Sequence, residues 1–345
     1  MRLLIGTYAT TIHALRLDPA SGRLTQIAAV EGPANPSYLA RHPSLPLLYA
    51  VSETRDATGQ SGGSVTAWAL DASGVPTLQA TLPCGGADPC HLRTDPEGRI
   101  LAVANYTSGH ITAIPLDASG TFGPAQVIAH HGTSVHPVRQ TGPHAHHVAW
   151  LASTNGGRFW ASDLGMDVIR PYRITQSGLE RDGADAPTPP GSGARRIITH
   201  PSGACAYALG EIDATVIHYT IAPDGRLIQH ESISMLPEGY DGPRSGAEIR
   251  ISPDGRHFYG SNRGHDSIAR FAIAPDGSLR PLGHTPSGGA KPRHIALSRD
   301  GAWLLACNQA SDHITLFRRD AETGDLTPTA DLSIPRPACA LFLPD

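Results

Sequence analysis

Three histidines crowd into the segment Gly142-Pro143-His144-Ala145-His146-His147. An imidazole titrates near neutrality, so such a cluster suits proton transfer or metal ligation. Further along, Arg195 and Arg196 stand side by side and Glu211 follows. A carboxylate taken out of water needs a partner, and a guanidinium supplies one with a fork that also fits substrate oxyanions. Cys84 and Cys90 are six apart, outside the usual spacing of a zinc knuckle. No convincing metal set or cofactor motif emerges, so the chemistry expected is that of acid, base and guanidinium. His130-His131 lies in a stretch without pattern and is read as structural.

Something must bring these groups together, and a repeat in the chain supplies it. Each copy has a polar start, a short alternating strand, an Asp/Pro/Gly turn and a very apolar strand that ends in one polar residue. A third strand and a second Gly turn complete the unit. One copy runs His294-Ile295-Ala296-Leu297-Ser298, Arg299-Asp300-Gly301, Trp303-Leu304-Leu305-Ala306-Cys307-Asn308. Others begin at His91 and Glu248, and equivalent starts fall at Tyr38, His147, Arg196 and Cys339. Third strands align over 64–70, 110–116, 168–174, 215–221, 267–273 and 313–318. The turns have a mechanism, since Gly supplies positive φ and Pro presets the first turn position.

Seven four-stranded units of about 50 residues describe an all-β, seven-bladed β-propeller. Only one strand, 338–343, remains after Cys339, while three unassigned strands lie near 3–7, 12–17 and 24–30. Together they make a complete blade that closes the ring and hides both edges. The whole of 1–345 therefore reads as one domain, with the irregular stretches 126–144 and 182–194 as loops on the site face.

In such a blade the first strand is innermost, and its start lies on the same face as the end of the second. Two rings of residues follow. The second-strand ends are Thr7, Glu53, Asn105, Asp163, Glu211, Asn262 and Asn308. The first-strand starts, each with its preceding residue, are Ser37-Tyr38, Cys90-His91, His146-His147, Arg195-Arg196, Ala247-Glu248, Arg293-His294 and Ala338-Cys339. Polar groups converging on one concave mouth mark a site. Strand alternation predicts that His144 and His146 face the channel together.

Composition removes other classes. With 37 Gly and 30 Pro in 345 residues, the chain is too rich in helix breakers for a helical protein. A hydrophobic fraction of 40% and a net charge of −4 exclude a disordered polyelectrolyte and argue against a nucleic-acid partner. No apolar run is long enough to span a membrane. The first residues lack a signal peptide's apolar core, and five scattered cysteines fit reduced thiols, so a cytoplasmic protein, monomer or homodimer, is expected. Of the basic residues 26 are Arg and one is Lys, a bias that fits GC-rich coding and does not by itself make any arginine functional.

At these residues the sequence resembles a known family, the lactonase propellers that include bacterial 6-phosphogluconolactonases and fungal carboxy-cis,cis-muconate cyclase. The resemblance rests on an ordered set that spans nearly the whole chain. It includes Gly6-Thr7-Tyr8, Asn35-Pro36-Ser37-Tyr38-Leu39, Pro89-Cys90-His91-Leu92, Arg139-Gln140, Pro143-His144-Ala145-His146, Asp163-Leu164-Gly165, Ser252-Pro253-Asp254-Gly255-Arg256 and Ser261-Asn262-Arg263. It implies metal-independent catalysis with His144 or His146, Arg195, Glu211 and Arg263 in the site. Where the family has Gly-Pro-Arg-His, this chain has Gly193-Ala194-Arg195-Arg196, which adds positive charge and favours a more anionic substrate.

The expected reaction is hydrolysis of a sugar-acid lactone, with 6-phosphogluconolactone as leading substrate. A general base comes from Glu211 or the 144–146 histidines, and Arg195 with Arg263 stabilises the oxyanion. His91, Asn105, Arg196, Glu248, Asn262 and Arg293 are the candidate substrate-binding residues. An unphosphorylated aldaric or uronic lactone and a muconate-type cyclase are alternatives. A WD40-like binding platform is a reading of a different class, against which stand the missing Gly-His and Trp-Asp signatures.

Overall fold

A computed structural model describes residues 1–151, 157–176 and 178–344, and all regular structure among them is β-strand. Seven sheets are present. Their inner strands are Leu39–Arg41, Pro89–Thr94, Ala145–Trp150, Ala194–Thr199, Gly246–Ile251, Pro292–Leu297 and Pro337–Phe342. Numbering the blades in that order, the seventh pairs Pro337–Phe342 with Arg2–Thr7, which continues to Thr11–Leu17 and Leu24–Glu31. The ring therefore closes with one C-terminal and three N-terminal strands, as expected.

Two details differ from the sequence reading. The stretch 126–144 is not wholly irregular, because Gln126–Ala129 forms the outer strand of the second blade. The third blade gains a fifth strand, Ala186–Pro187, paired with Val168–Thr175. Both are short pairings on an outer edge, where two to four residues carry no readable alternation.

The blades are held by what lies between them. Second strands such as Cys205–Gly210 and Trp303–Asn308 are buried along their whole length, while outer strands such as Leu227–Ser234 alternate. A sheet buried on both faces packs on both neighbours, and seven apolar clusters result, one at each blade interface. A staple recurs at three interfaces. Tyr49, Tyr207 and Tyr259 each reach across and donate from the hydroxyl to a turn carbonyl of the next blade, at Gly120 (2.7 Å), Gly277 (2.6 Å) and Gly324 (3.0 Å). Gly120 sits at φ 80°, and a Cβ there would lie 2.4 Å from Leu47 and 2.8 Å from the Tyr49 hydroxyl. Only glycine admits both that turn and that approach.

Candidate active site

The inner strands share an irregularity that decides which side chains meet. In the second blade Pro89 pairs with Asn105 and His91 with Ala104, which leaves Cys90 as an extra residue. The same shift falls at His146, Arg195, Arg293 and Ala338, and at Ala247-Glu248 in the fifth blade. An extra residue suspends alternation locally. Two consecutive side chains then face the channel instead of one. A small internal cavity is accordingly lined by both members of Cys90-His91, His146-His147, Arg195-Arg196 and Arg293-His294.

The first members of these pairs form an upper tier. Glu211, at the end of its strand, is its centre and is almost fully buried. Its Oε2 accepts from Arg195 Nε (2.7 Å) and lies 2.9 Å from Arg263 Nη2 and 3.7 Å from His146 Nε2. Its Oε1 accepts from Arg139 Nη2 at 2.6 Å. Arg139 comes from the loop that precedes the third blade and also donates to the Tyr106 hydroxyl at 3.0 Å. Across the tier Glu53 accepts from Ser37 and from Tyr8 (2.8 Å), and Arg293 lies 3.7 Å from it while packing over the Tyr8 ring.

The electrostatics follow from burial and neighbours. Burial pushes the Glu211 carboxyl up, but the guanidiniums of Arg263, Arg195 and Arg139 outweigh it and hold it well below the usual carboxylate range. Glu211 is thus an anion with both oxygens engaged. Burial, with Arg195 adding to it, pushes His146 well below the ordinary imidazole range, so it is neutral at pH 7. Its Nδ1 lies 3.5 Å from Cys90 Sγ, and burial pushes that thiol up, so it stays protonated. Burial lowers Arg263 to about 10, although Glu211 opposes the shift. The buried Nε–H of Arg263 has no protein partner among the described residues.

The second members form a lower tier around Glu248. Its carboxylate meets Arg196 Nε (2.5 Å), Arg250, and His294 Nε2 (3.5 Å). Arg196 also donates to the Tyr38 hydroxyl (3.0 Å), and His91 packs between Tyr38 and His147.

The expected residues therefore divide. His146, Arg195, Glu211, Arg263 and Arg293 come together in the upper tier. His91, Arg196 and Glu248 belong to the lower one. His144 lies one residue before the inner strand, beside Tyr106, whose hydroxyl accepts from Arg139. Its Nδ1 pairs with the Tyr106 carbonyl (2.9 Å) and its ring stacks on Tyr106. Asn105 and Asn262 lie outside both tiers, fully buried, with amides that donate to the carbonyls of His110 (3.1 Å) and Met235 (2.7 Å). His130 is structural, held between Asp163 (2.6 Å) and Tyr172 (2.7 Å).

Sequence reasoning did not assign Arg139, Tyr106 or Tyr8 to the site, and it placed Glu53 only in a ring. One signal was available. In the ring of second-strand ends, Thr7, Asn105, Asp163, Asn262 and Asn308 bond nearby loops, whereas Glu53 and Glu211 reach the channel. The extra methylene of glutamate separates the two groups. Among the described residues no group of three His, Cys, Asp or Glu is placed to hold a metal ion.

Residues 2–342 match the family model described as lactonase, seven-bladed beta-propeller. A Bacillus subtilis protein named 6-phosphogluconolactonase is 31% identical over 98% of this chain and 97% of its own. A Formosa agariphila protein of the same name is 32% identical, covering 92% and 90%. Among solved structures, the periplasmic gluconolactonase of Pseudomonas aeruginosa superposes with a TM-score of 0.93 at 31% identity, covering 99% of each chain. The cluster around Glu211 thus sits in a scaffold shared with proteins that bear lactonase names, and the chain belongs to the seven-bladed β-propeller lactonase family.

Proposed function

We propose that this protein hydrolyses the ring ester of an anionic sugar-acid lactone, with 6-phosphogluconolactone as substrate and 6-phosphogluconate as product. One observation carries the reading. The upper tier sets four guanidiniums, Arg139, Arg195, Arg263 and Arg293, against two carboxylates, Glu53 and Glu211. That surplus of two positive charges suits a phosphate, and the unpaired Arg263 Nε–H suits an oxygen acceptor.

In this reading His146 is the general base. In the tautomer with the proton on Nδ1, which faces Cys90 Sγ, Nε2 is left bare, 3.7 Å from Glu211 Oε2. Nε2 takes a proton from water as the water oxygen attacks the lactone carbonyl carbon. The tetrahedral oxyanion is stabilised by Arg263 and Arg195. Glu211 stabilises the imidazolium, and the C–O ring bond breaks as His146 returns the proton to the leaving alkoxide. Glu211 is poorly suited as the base itself, because both of its oxygens already accept from guanidiniums, Oε1 from Arg139 and Oε2 from Arg195.

The similarity to a periplasmic gluconolactonase favours a second reading, an unphosphorylated lactone. A panel separates them. Turnover of 6-phosphogluconolactone should exceed that of gluconolactone and of aldaric lactones at least tenfold in kcat/KM. A preference for gluconolactone replaces the phosphate reading, and no turnover of any lactone removes both. Five free, buried cysteines support the cytoplasmic placement expected from sequence. Among the described residues no helix is long and apolar enough to cross a membrane.

A further inference from the structure

The channel has a second opening, below the Glu248 tier. It widens into a cavity of about 640 Å³ lined by Arg93 and Arg250 from two inner strands, by Arg41 and Arg196, and by Trp150 and Leu341 on apolar stretches of wall. The volume falls in the range of small-molecule sites. Its charge is one-sided. Asp95 is the carboxylate on the wall, and it is already occupied by the backbone N–H groups of Arg99 (2.6 Å) and Ile100 (2.8 Å). Arg250 and Arg196 share Glu248. Arg41 donates only to the Pro43 carbonyl (3.0 Å).

Arg93 is the unengaged guanidinium of the four. It is open to solvent, and its guanidinium has no carboxylate or carbonyl partner among the described residues, while its own carbonyl accepts from Trp150 Nε1 at 3.1 Å. Crowding by the surrounding protein and by Arg196 and Arg250 lowers its pKa. It stands on an inner strand, two residues below His91, and lines the same cavity as Arg250 and Arg196.

We propose that this lower mouth is a separate binding site for a compact multivalent oxyanion, of the class of organic phosphates and polycarboxylates. Arg93 and Arg250 hold the charged group, and the Trp150 and Leu341 wall takes the carbon portion. Bidentate guanidinium contacts suit such anions: Arg93 offers a whole fork, while Arg250, whose Nη1 meets Glu248 and the Ile249 carbonyl and whose Nη2 meets His294, adds its charge from the same wall. The Glu248 cluster lies between the two mouths, so the ligand meets Arg250 and Arg196 without entering the Glu211 tier. The site stands apart from the proposed lactone reaction, and neither reading depends on the other.

Calorimetric titration with inorganic pyrophosphate and, in parallel, citrate tests this on the full-length protein. The variant Arg263→Ala weakens the upper tier and should retain saturable binding of at least one probe. Arg93→Ala, combined with Arg263→Ala, should weaken that binding tenfold or more, whereas Arg93→Ala alone should leave lactone turnover within twofold of wild type. Arg226→Ala, on an exposed outer turn, should change nothing. Stronger binding of pyrophosphate assigns the site to phosphates, and stronger binding of citrate assigns it to polycarboxylates. The proposal is overturned if Arg263→Ala binds neither probe, if Arg93→Ala leaves binding intact, or if Arg226→Ala loses as much. Unchanged circular dichroism of Arg93→Ala keeps these outcomes separate from misfolding.

Discussion

Glu211 meets Arg139, Arg195, Arg263 and His146, and Glu248, one blade on and one tier down, meets Arg196, Arg250 and His294. The parts are nearly the same, but their access to solvent is not. The cations around Glu211 lead outward, with the Arg139 side chain 39% exposed and that of Arg263 15%. The Glu248 side chain is 1% exposed; of its guanidiniums Arg196 is 6% exposed, and Arg250, at 21%, opens only toward the lower mouth. A cluster that opens can exchange one of its contacts for a substrate oxygen. The Glu248 carboxylate is sealed from the upper mouth and spends its contacts on its own cations, and an ion pair of that kind holds shape more than it adds stability. The upper tier is therefore the candidate for chemistry, and the lower one is a partition across the channel.

Removing each carboxylate or a key partner separates the two roles. Glu248→Ala leaves Arg196 buried without its counter-ion, and breaking such a pair costs about 3–5 kcal/mol. Urea unfolding should show that loss, while kcat per folded molecule stays within about threefold of wild type, a tolerance that corresponds to about 0.7 kcal/mol. A collapse of kcat in a folded Glu248→Ala protein would place the lower tier in the reaction and erase the distinction. Next in size, Arg263→Ala removes an oxyanion donor and should lower kcat by about 10²–10³. Its urea midpoint should move far less than that of Glu248→Ala. Wild-type turnover in that variant would refute its role.

How much of this was readable in the chain depends on distance from the inner strands. The propeller was legible because Asp/Pro/Gly turns and apolar second strands repeat, and the closing blade was legible because three N-terminal strands lacked a partner. Glu211 and Arg195 were legible because they occupy repeat positions. Their division from Arg196 and His91 was not, because it depends on an extra residue in each inner strand, and neighbours such as Arg195-Arg196 look alike without it. Arg139 was out of reach of the repeat altogether, since it sits on a loop with no counterpart in the other blades.

Acid pH tests the shared feature of the tiers. Burial first, and neighbouring positive charge second, lowers His91, His146, His147 and His294 in the folded state. The unfolded chain then binds more protons below about pH 6.5. The stability these histidines contribute is present above that pH and is lost as pH falls toward their folded values. Each can remove up to about 1.4 kcal/mol per pH unit. Glu211, also lowered in the folded state, adds its loss below about pH 4.3, as pH falls toward its folded value. Urea midpoints should hold steady from pH 8 to 7 and decline from pH 6.5 to 5. A flat midpoint across that interval would mean that the channel histidines are hydrated. With His146 as the base, kcat/KM should decline only below the ordinary histidine range, later than for a solvent-exposed imidazole.

The smallest expected effect sharpens the comparison most finely, because it concerns the most open residue of the open tier. Arg139 pairs with Glu211 through Nη2, and its side chain is 39% exposed. An ion pair with so exposed a partner adds little to stability, so Arg139→Ala should leave the urea midpoint nearly unchanged. Arg139 is the most exposed of the four guanidiniums, so a substrate phosphate can reach it for charge-assisted hydrogen bonds. Losing one such contact raises KM for a phosphorylated lactone about tenfold. For an uncharged gluconolactone the same variant should change KM less than threefold, a difference of about 0.7 kcal/mol. Equal effects on both substrates would mean that Arg139 serves only to hold Glu211 and that the surplus charge lies elsewhere. Arg293 would then be the next guanidinium to test, since its carboxylate contact, at 3.7 Å, is the longest among the four.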